Sequence, residues 1–157
     1  MDRMRRLRMN GTLRDMVREN HVRVDELIYP VFVAEGENIC RPVKSMPGIC
    51  QYSLDRLPEE LDRTVDAGVR AVLLFGIPAH KDPKGSGAYD EDGIIPQAVR
   101  LIRERYEDLL VIADVCLCEY TSHGHCGLVR EGEILNDETL PLLAAASVAY
   151  ARAGADI

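Results

Sequence analysis

Three of the chain's five cysteines, Cys116, Cys118 and Cys126, lie within eleven residues of each other, directly after an apolar run typical of a strand. Thiolates are preferred zinc ligands, and three protein ligands leave a fourth coordination position for water or a substrate. The spacing differs from the paired C-x-x-C pattern of structural zinc ribbons. The pattern therefore predicts a zinc site of the catalytic kind.

The local sequence would let the three sulfurs converge. Cys116 and Cys118 are two residues apart, so in an extended segment both side chains lie on one face, about 6.5 Å apart along the strand. Gly124 and Gly127 permit backbone conformations that other residues resist, so Cys126 can fold back. Two alternatives remain, namely three reduced cysteines without metal and a redox pair formed by the first two thiols.

Other polar residues of this loop are candidates for supporting roles. Three thiolates reduce the Lewis acidity of an ion, which favours an ion that binds and orients a substrate. His125 is a candidate for a second, weaker metal site, for hydrogen bonding to the first, or for an exposed loop position. Asp114 follows the predicted strand at its carboxyl end, where barrel enzymes carry catalytic groups. Its alternative role is to cap a helix or brace the loop.

No chemistry is predicted for the three lysines of the chain or for its other two cysteines. Lys44, Lys81 and Lys84 lie on loops rich in proline, glycine or charge. A Schiff-base lysine needs a lowered pKa, usually from desolvation or a neighbouring cation, so these three are expected to be solvated. Cys40 and Cys50 flank a proline-rich loop and are expected to be small packing residues.

The chain repeats the order strand, loop, helix three times. Strands are predicted at 27–33, 71–75 and 109–113, helices at 54–67, 95–106 and 137–152 with an Asn/Asp cap, and a fourth strand begins near Ile157. Long loops follow the strands and short turns follow the helices, which is typical of the α/β class and of a (β/α)8 TIM barrel. A doubly wound open sheet is the alternative, but no glycine-rich phosphate turn follows the first strand.

Three to four βα units cannot close such a barrel, because closure needs eight strands. We therefore divide the chain into an N-terminal arm, 1–20, and the N-terminal half of a barrel, 21–157. The expectation is a parent protein about twice as long, since eight βα units make a complete barrel.

Charge is distributed unevenly along the chain. Residues 1–18 carry six arginines against Asp2 and Asp15, a local charge of +4 in a chain of net charge −7. Nucleic-acid binding by this arm is weighed against a solvated tail and against contact with a neighbouring acidic subunit, and the last is favoured. No apolar run is long enough to span a membrane and no secretory signal is evident, so the cytoplasm is predicted.

Several motifs resemble the porphobilinogen synthase (delta-aminolevulinic acid dehydratase) family. The most specific is the cysteine loop, DVCLCEYTSHGHCG, at 114–127. The others are RRLR at 5–8, LIYPVFV at 27–33, SMPG at 45–48, FG at 75–76, GS at 85–86 and NDET at 136–139. The resemblance covers nearly the whole chain but only the first half of the family's length.

This resemblance implies a TIM-barrel lyase that condenses two 5-aminolevulinate molecules to porphobilinogen, with loss of two waters, in heme biosynthesis. It implies that Cys116, Cys118 and Cys126 bind zinc, as in the zinc-dependent branch. Asp114 would then lie near the substrate amine and Phe75 in the substrate pocket, while the histidine matching His125 joins a second metal site, zinc or magnesium, in some members.

The same resemblance implies a homo-octamer in which the N-terminal arm embraces a neighbouring subunit. The family's two Schiff-base lysines fall beyond Ile157, so this stretch of chain alone is expected to be inactive. The competing hypothesis is a self-contained zinc-binding module without catalytic activity.

Overall fold

The computed structural model describes residues 3–157, so the first two residues of the predicted arm lie outside it. The arm contains a short 3₁₀ turn, helix α1 (Gly11–Met16) and a second 3₁₀ turn. Asn10 caps α1 by accepting a hydrogen bond from the Leu13 amide at 2.9 Å. Every described residue up to Ile28 is exposed except Leu13, which is half-buried, so the arm adds nothing to this chain's core.

After the arm, the chain forms one mainly parallel sheet with three helices. The elements are β1 (Tyr29–Ala34), β2 (Cys40–Pro42), β3 (Cys50–Tyr52), α2 (Leu57–Asp66), β4 (Ala71–Ile77), α3 (Ile94–Arg105), β5 (Leu110–Ala113), β6 (Val129–Arg130), β7 (Glu133–Ile134) and α4 (Asn136–Ala153). The strand order is β2-β3-β1-β4-β5, and β1, β4 and β5 are parallel neighbours. The three predicted βα units are confirmed, with boundary shifts of at most three residues.

The helices cover only one face of the sheet. Strand residues at alternate positions are fully buried in a core shared with all three large helices: Val31, Val33, Val72, Leu74, Val111 and Ala113. The intervening positions, among them Phe32, Phe75 and Ile112, are only half-buried and form a second apolar face. A doubly wound sheet would carry helices on both faces. One covered face and one open apolar face are typical of an arc of a β/α barrel.

Two short hairpins were not predicted. The proline-rich loop forms β2 and β3, and β3 pairs with β1 in parallel, with Phe32 opposite Gln51. The long loop after β5 was predicted to be irregular but contains β6 and β7, joined by Glu131 and Gly132, both at positive φ. Strands of two or three residues are too short to show alternation, so no pattern in the sequence indicates them: β3 is fixed by pairing with β1, and β6 and β7 by pairing with each other across a local turn.

The helix ends lie within three residues of those predicted, and the largest shift is at the start of α2, which begins at Leu57 rather than at position 54. Gly68 after α2 and Gly154 after α4 adopt left-handed conformations, with φ of +89° and +110°, which glycine tolerates and which commonly end helices. The Asn/Asp cap predicted for α4 is wrong. The N-cap position is Leu135, which makes no side-chain capping bond, while Asp137 lies in the first turn. In that position the negative charge of Asp137 still stabilises the helix, because it lies near the positive end of the helix dipole.

Beyond α4 the chain returns to the sheet beside β5. The Asp156 amide donates to the Val111 carbonyl at 2.9 Å, and the Ala113 amide donates to the Ile157 carbonyl at 2.9 Å. These bonds bring the end of the described chain alongside β5, but no strand forms there within residues 3–157, so the fourth strand stays a prediction. Among the helices formed by residues 3–157, none combines the length and apolar character required to cross a lipid bilayer.

Arg103 connects this last turn to the rest of the fold. Its guanidinium donates to the Gly154 carbonyl at 2.8 Å, to the Leu109 carbonyl at 3.0 Å and to the Asp156 carboxylate. Burial alone would raise the pKa of Asp156, but hydrogen bonds from the Val111 amide and Arg103 hold that pKa below its usual value. One side chain thus ties α3, β5 and the end of α4 together.

We expect the Arg103→Met variant of the full-length protein to lose about 1–3 kcal/mol of unfolding free energy, because buried carbonyl oxygens lose their donors. Arg105→Met is the matched control, since Arg105 lies on the same helix but is exposed. Urea denaturation of both variants measures the difference. Equal midpoints would show that the Arg103 contacts contribute nothing.

Candidate metal centre

The three predicted cysteines converge at the carboxyl end of β5. Their sulfurs all lie within 4.8 Å of one another, and the Sγ atoms of Cys116 and Cys118 are 3.3 Å apart. We call these three sulfurs the sulfur cluster. Cys116 and Cys118 are half-buried and Cys126 is exposed, so the cluster opens to solvent on one side.

This donor set fits zinc. Four ligands at about 2.3 Å in a tetrahedron place sulfurs about 3.8 Å from each other, which lies between the 3.3 Å separation of Cys116 and Cys118 and the 4.8 Å that bounds the whole cluster. The pKa of the Cys118 thiol is raised to about 12, mainly by burial and secondly by a hydrogen bond with Cys116. The pKa of the Cys126 thiol is also raised, mainly by a hydrogen bond with Cys116. Three thiolates this close repel each other, and a divalent cation between them removes that repulsion. Soft thiolate ligands favour zinc over magnesium or calcium.

A turn rather than an extended segment brings the first two sulfurs together. Leu117 is fully buried between the two cysteines, and its carbonyl accepts hydrogen bonds from the Tyr120 and Thr121 amides, both at 2.9 Å. The predicted extended geometry is therefore wrong. Because the chain turns at this point, the two sulfurs approach much more closely than the about 6.5 Å expected along a strand.

The segment that carries the third cysteine is held at both ends. Gly124 has φ of +75°, which suits glycine, and the Thr121 hydroxyl donates to the His125 carbonyl at 2.8 Å. Gly127 does not have a positive φ, so it does not adopt the special backbone conformation that was expected of it. A glycine is required here because a Cβ would lie 2.7 Å from the Thr139 hydroxyl oxygen. Cys126 therefore returns to the cluster between two fixed points.

Tyr120 anchors the turn in the core beneath β4. Its ring is 2% exposed, and its hydroxyl lies over Gly76 so closely that a Cβ on that glycine would come within 1.9 Å. Glycine is the only residue type that leaves room for the Tyr120 ring at position 76. The position of the turn therefore depends on a glycine in the neighbouring strand.

Asp114 and Phe75 lie side by side on the open face of the sheet. The Asp114 amide donates to the Leu74 carbonyl at 3.1 Å, and Leu74 is paired with Ala113, so Phe75 and Asp114 each follow the last pair of the β4–β5 ladder. Phe75 stacks on Phe32 with ring centroids 5.2 Å apart. Burial raises the pKa of the Asp114 carboxyl. Their roles at a substrate stay predictions, but both lie at the same edge of the sheet as the sulfur cluster.

Glu119 was missed by the sequence analysis. Its Oε2 is buried and has no hydrogen-bond partner within residues 3–157. Burial, and then the charge of Asp114, raises the pKa of Glu119 to about 7. In a polar loop sequence a glutamate is expected to be solvated, so no local signal reveals this burial. The site thus has a second carboxyl group beside Asp114.

The two loop histidines lie outside the sulfur cluster. His123 Nδ1 accepts a hydrogen bond from the His125 amide at 3.2 Å, so the proton of a neutral ring lies on Nε2, which is 3.2 Å from the Pro83 carbonyl oxygen. The two rings are 5.5 Å apart and exposed. His125 therefore remains accessible, and its role in a second metal site stays a prediction.

The lysines and the two cysteines for which no chemistry was predicted do not belong to the sulfur cluster. Lys44, Lys81 and Lys84 are exposed, as expected. Cys50 is half-buried, but Cys40 is exposed on the short strand β2, so the packing role expected of Cys40 is wrong. Its strand is one of the unpredicted hairpin strands at the outer edge of the sheet.

Fold and site together define part of a β/α barrel with three cysteines at the carboxyl end of β5 that are placed to bind a metal ion. The family model described as delta-aminolevulinic acid dehydratase matches residues 1–157. The chain belongs to this family.

Relatives and a solved structure agree with this assignment. The delta-aminolevulinic acid dehydratases of Halalkalibacterium halodurans and Staphylococcus aureus are 55% and 51% identical, over 99% of this chain and 47% and 49% of their own lengths. The crystal structure of the Toxoplasma gondii delta-aminolevulinic acid dehydratase (porphobilinogen synthase) in complex with porphobilinogen superimposes with a TM-score of 0.91, at 38% identity. This chain covers 45% of that protein, and 99% of this chain is aligned.

These comparisons confirm the predicted family and the partial barrel. The chain spans about half the length of the curated relatives it matches, because it covers 47% and 49% of the first two. The open apolar face and the unclosed sheet are what half of a barrel presents.

Proposed function

We propose that the full-length protein containing this chain is a porphobilinogen synthase, a lyase of heme biosynthesis. It condenses two 5-aminolevulinate molecules to porphobilinogen and releases two waters. The observation that carries this proposal is the sulfur cluster, three thiols within 4.8 Å of one another in a chain of the dehydratase family. The relatives' names and the product bound to the Toxoplasma gondii protein support it.

In this proposal Cys116, Cys118 and Cys126 hold one zinc ion, which supplies a positive charge that orients substrate oxygen or nitrogen atoms. The Asp114 carboxylate faces the open side of the sheet, where it can bind the substrate's ammonium group. Phe75 and Phe32 form an apolar wall beside it. Glu119 adds a second carboxyl near Asp114, and burial restricts water around both.

The finer features of the family belong to the same proposal. His125 would join a second metal site, occupied by zinc or magnesium. The arginine-rich arm would lie against a neighbouring subunit of a homo-octamer, which fits its exposure here and its charge opposite to the body of the chain. The enzyme would work in the cytoplasm.

The present stretch of chain should be inactive alone. A Schiff-base lysine needs a desolvated or cation-flanked amine, but Lys44, Lys81 and Lys84 are all exposed. We propose that the two lysines of the reaction follow Ile157 in the longer chain, together with most of the groups that bind the substrate carboxylates.

The test is turnover of 5-aminolevulinate by the full-length protein, measured as porphobilinogen formed. We expect activity as purified, loss after chelation and recovery on adding Zn²⁺. Residues 1–157 tested in parallel should show none. A full-length protein that binds zinc but leaves 5-aminolevulinate unchanged would instead support the zinc-binding module, and activity that persists after complete zinc removal would contradict the role of the metal.

A further inference from the structure

Two loops at the carboxyl edge of the sheet are joined by main-chain hydrogen bonds. We call residues 79–86, which follow β4, the clasp loop, and residues 114–127 the metal loop. The Asp82 amide donates to the Tyr120 carbonyl at 3.3 Å, and the Ser122 amide donates to the Asp82 carbonyl at 3.0 Å. They form a parallel β-bridge. The metal loop is therefore held at two residues that lie between its second and third cysteines.

The side chain of Asp82 fixes the conformation of the clasp loop itself. Its carboxylate accepts hydrogen bonds from the Lys84 amide at 2.7 Å, from the Ser86 amide at 3.0 Å and from the Ser86 hydroxyl. The pKa of the Asp82 carboxyl is held below its usual value, mainly by the hydrogen bond from the Ser86 hydroxyl and to a smaller extent by those from the backbone amides. These bonds close a tight turn in which Gly85 has φ of +64°.

Packing adds to the hydrogen bonds between the loops. A Cβ on Gly85 would lie 3.2 Å from the Thr121 side chain, 3.4 Å from that of Tyr120 and 3.5 Å from that of Leu117. The clasp loop thus lies directly against the turn that carries Cys118. A shift of the clasp loop would be passed to that turn, because the two surfaces are in van der Waals contact.

We propose that Asp82 is a positioning residue for the sulfur cluster. Its carboxylate fixes the conformation of the clasp loop, and its main chain pairs with the metal loop on either side of Thr121. The sulfurs of Cys118 and Cys126 are therefore held at a fixed separation before metal binds. This inference rests on the proposed zinc centre and adds to it a residue that is not a ligand. A preorganised site binds metal more tightly because less conformational freedom is lost on binding.

The experiment compares zinc affinity across variants of the full-length protein, measured by competition with a chromophoric chelator. We expect Asp82→Ala to bind Zn²⁺ about 10–100-fold more weakly, the range found when a group supporting a metal ligand is removed. Asp82→Asn keeps one carbonyl acceptor and should fall between Asp82→Ala and the parent. Asp92→Ala is the matched control, because Asp92 lies beyond the clasp loop before α3 with its side chain 92% exposed.

Two further measurements separate positioning from general destabilisation. The near-ultraviolet thiolate-to-cobalt band of the Co²⁺-loaded protein should shift or weaken in Asp82→Ala but not in Asp92→Ala. If Asp82→Ala does not fold, Ser86→Ala removes only one hydrogen bond to the same carboxylate and should weaken zinc binding about 2–10-fold.

The outcomes distinguish this inference from the proposed function. Parent-like zinc affinity in Asp82→Ala, with the parent binding zinc, overturns the positioning role and leaves the metal centre intact. A parent protein that binds no zinc overturns the metal centre and the positioning role together. Weakened zinc binding in Asp82→Ala with partial recovery in Asp82→Asn supports the inference.

Discussion

Replacing Cys118 by serine should remove zinc from the full-length protein. A hydroxyl is a much poorer zinc ligand than a thiolate at neutral pH, and the sulfur of half-buried Cys118 lies 3.3 Å from that of Cys116. Loss of a group that only supports a ligand weakens metal binding about 10–100-fold, so loss of a ligand should weaken it more than about 100-fold. Zinc content after dialysis and turnover of 5-aminolevulinate should both fall to background.

Cys40→Ser is the control for this variant, because Cys40 is exposed on β2 and belongs to no sulfur cluster within the described residues. It should retain zinc and activity. If Cys118→Ser keeps one zinc per chain with unchanged affinity, the three sulfurs are not the metal ligands and the proposed centre is wrong.

The second large effect is expected from the smallest possible substitution, Gly76→Ala. The added Cβ would lie 1.9 Å from the Tyr120 hydroxyl oxygen, 2.8 Å from the ring carbon that carries it and 3.0 Å from Ile95. Because Tyr120 is buried, its ring can give way only by moving the turn that carries Cys118. We expect a loss of about 1–3 kcal/mol in unfolding free energy from overpacking, accompanied by weaker zinc binding.

A double variant and a control make this prediction specific. Tyr120→Phe in the Gly76→Ala background removes the hydroxyl oxygen and should restore part of the stability, whereas the same change in the parent protein should not stabilise it. Gly11→Ala in α1 places its Cβ no closer than 3.9 Å to Arg14 and should leave stability unchanged or slightly raised. Denaturation and chelator competition measure both effects. Equal results for Gly76→Ala and Gly11→Ala would contradict the packing argument.

The parts of the fold that follow from local pattern were predicted from the sequence. β1, β4 and β5 lie in short apolar runs rich in Val, Leu and Phe, and α2 and α3 repeat apolar residues at helical spacing, so their existence and order follow from local pattern. The cysteine cluster was also predictable, because its three members are close in the chain and their chemistry is distinctive. The helix ends at Gly68 and Gly154 follow from a glycine's tolerance of positive φ.

What the sequence could not reveal depends on contacts between distant residues. β3 exists because it pairs with β1, and neither its length nor its composition indicates a strand. The Oε2 atom of half-buried Glu119 is shielded from solvent because the turn of the metal loop packs against the end of β4, and the Asp82 main chain bonds to residues on a different loop. In each case the deciding partner lies many positions away in the chain, where periodicity and spacing carry no information.

X-ray absorption at the zinc edge of the purified full-length protein tests the central claim most directly. We predict one zinc per chain at the sulfur cluster, with three sulfur neighbours at about 2.3 Å and one lighter atom, oxygen or nitrogen, in the fourth position. The lighter neighbour should change when 5-aminolevulinate is added. A spectrum with four sulfurs, with oxygen and nitrogen ligands alone, or from a protein that takes up no zinc would contradict it.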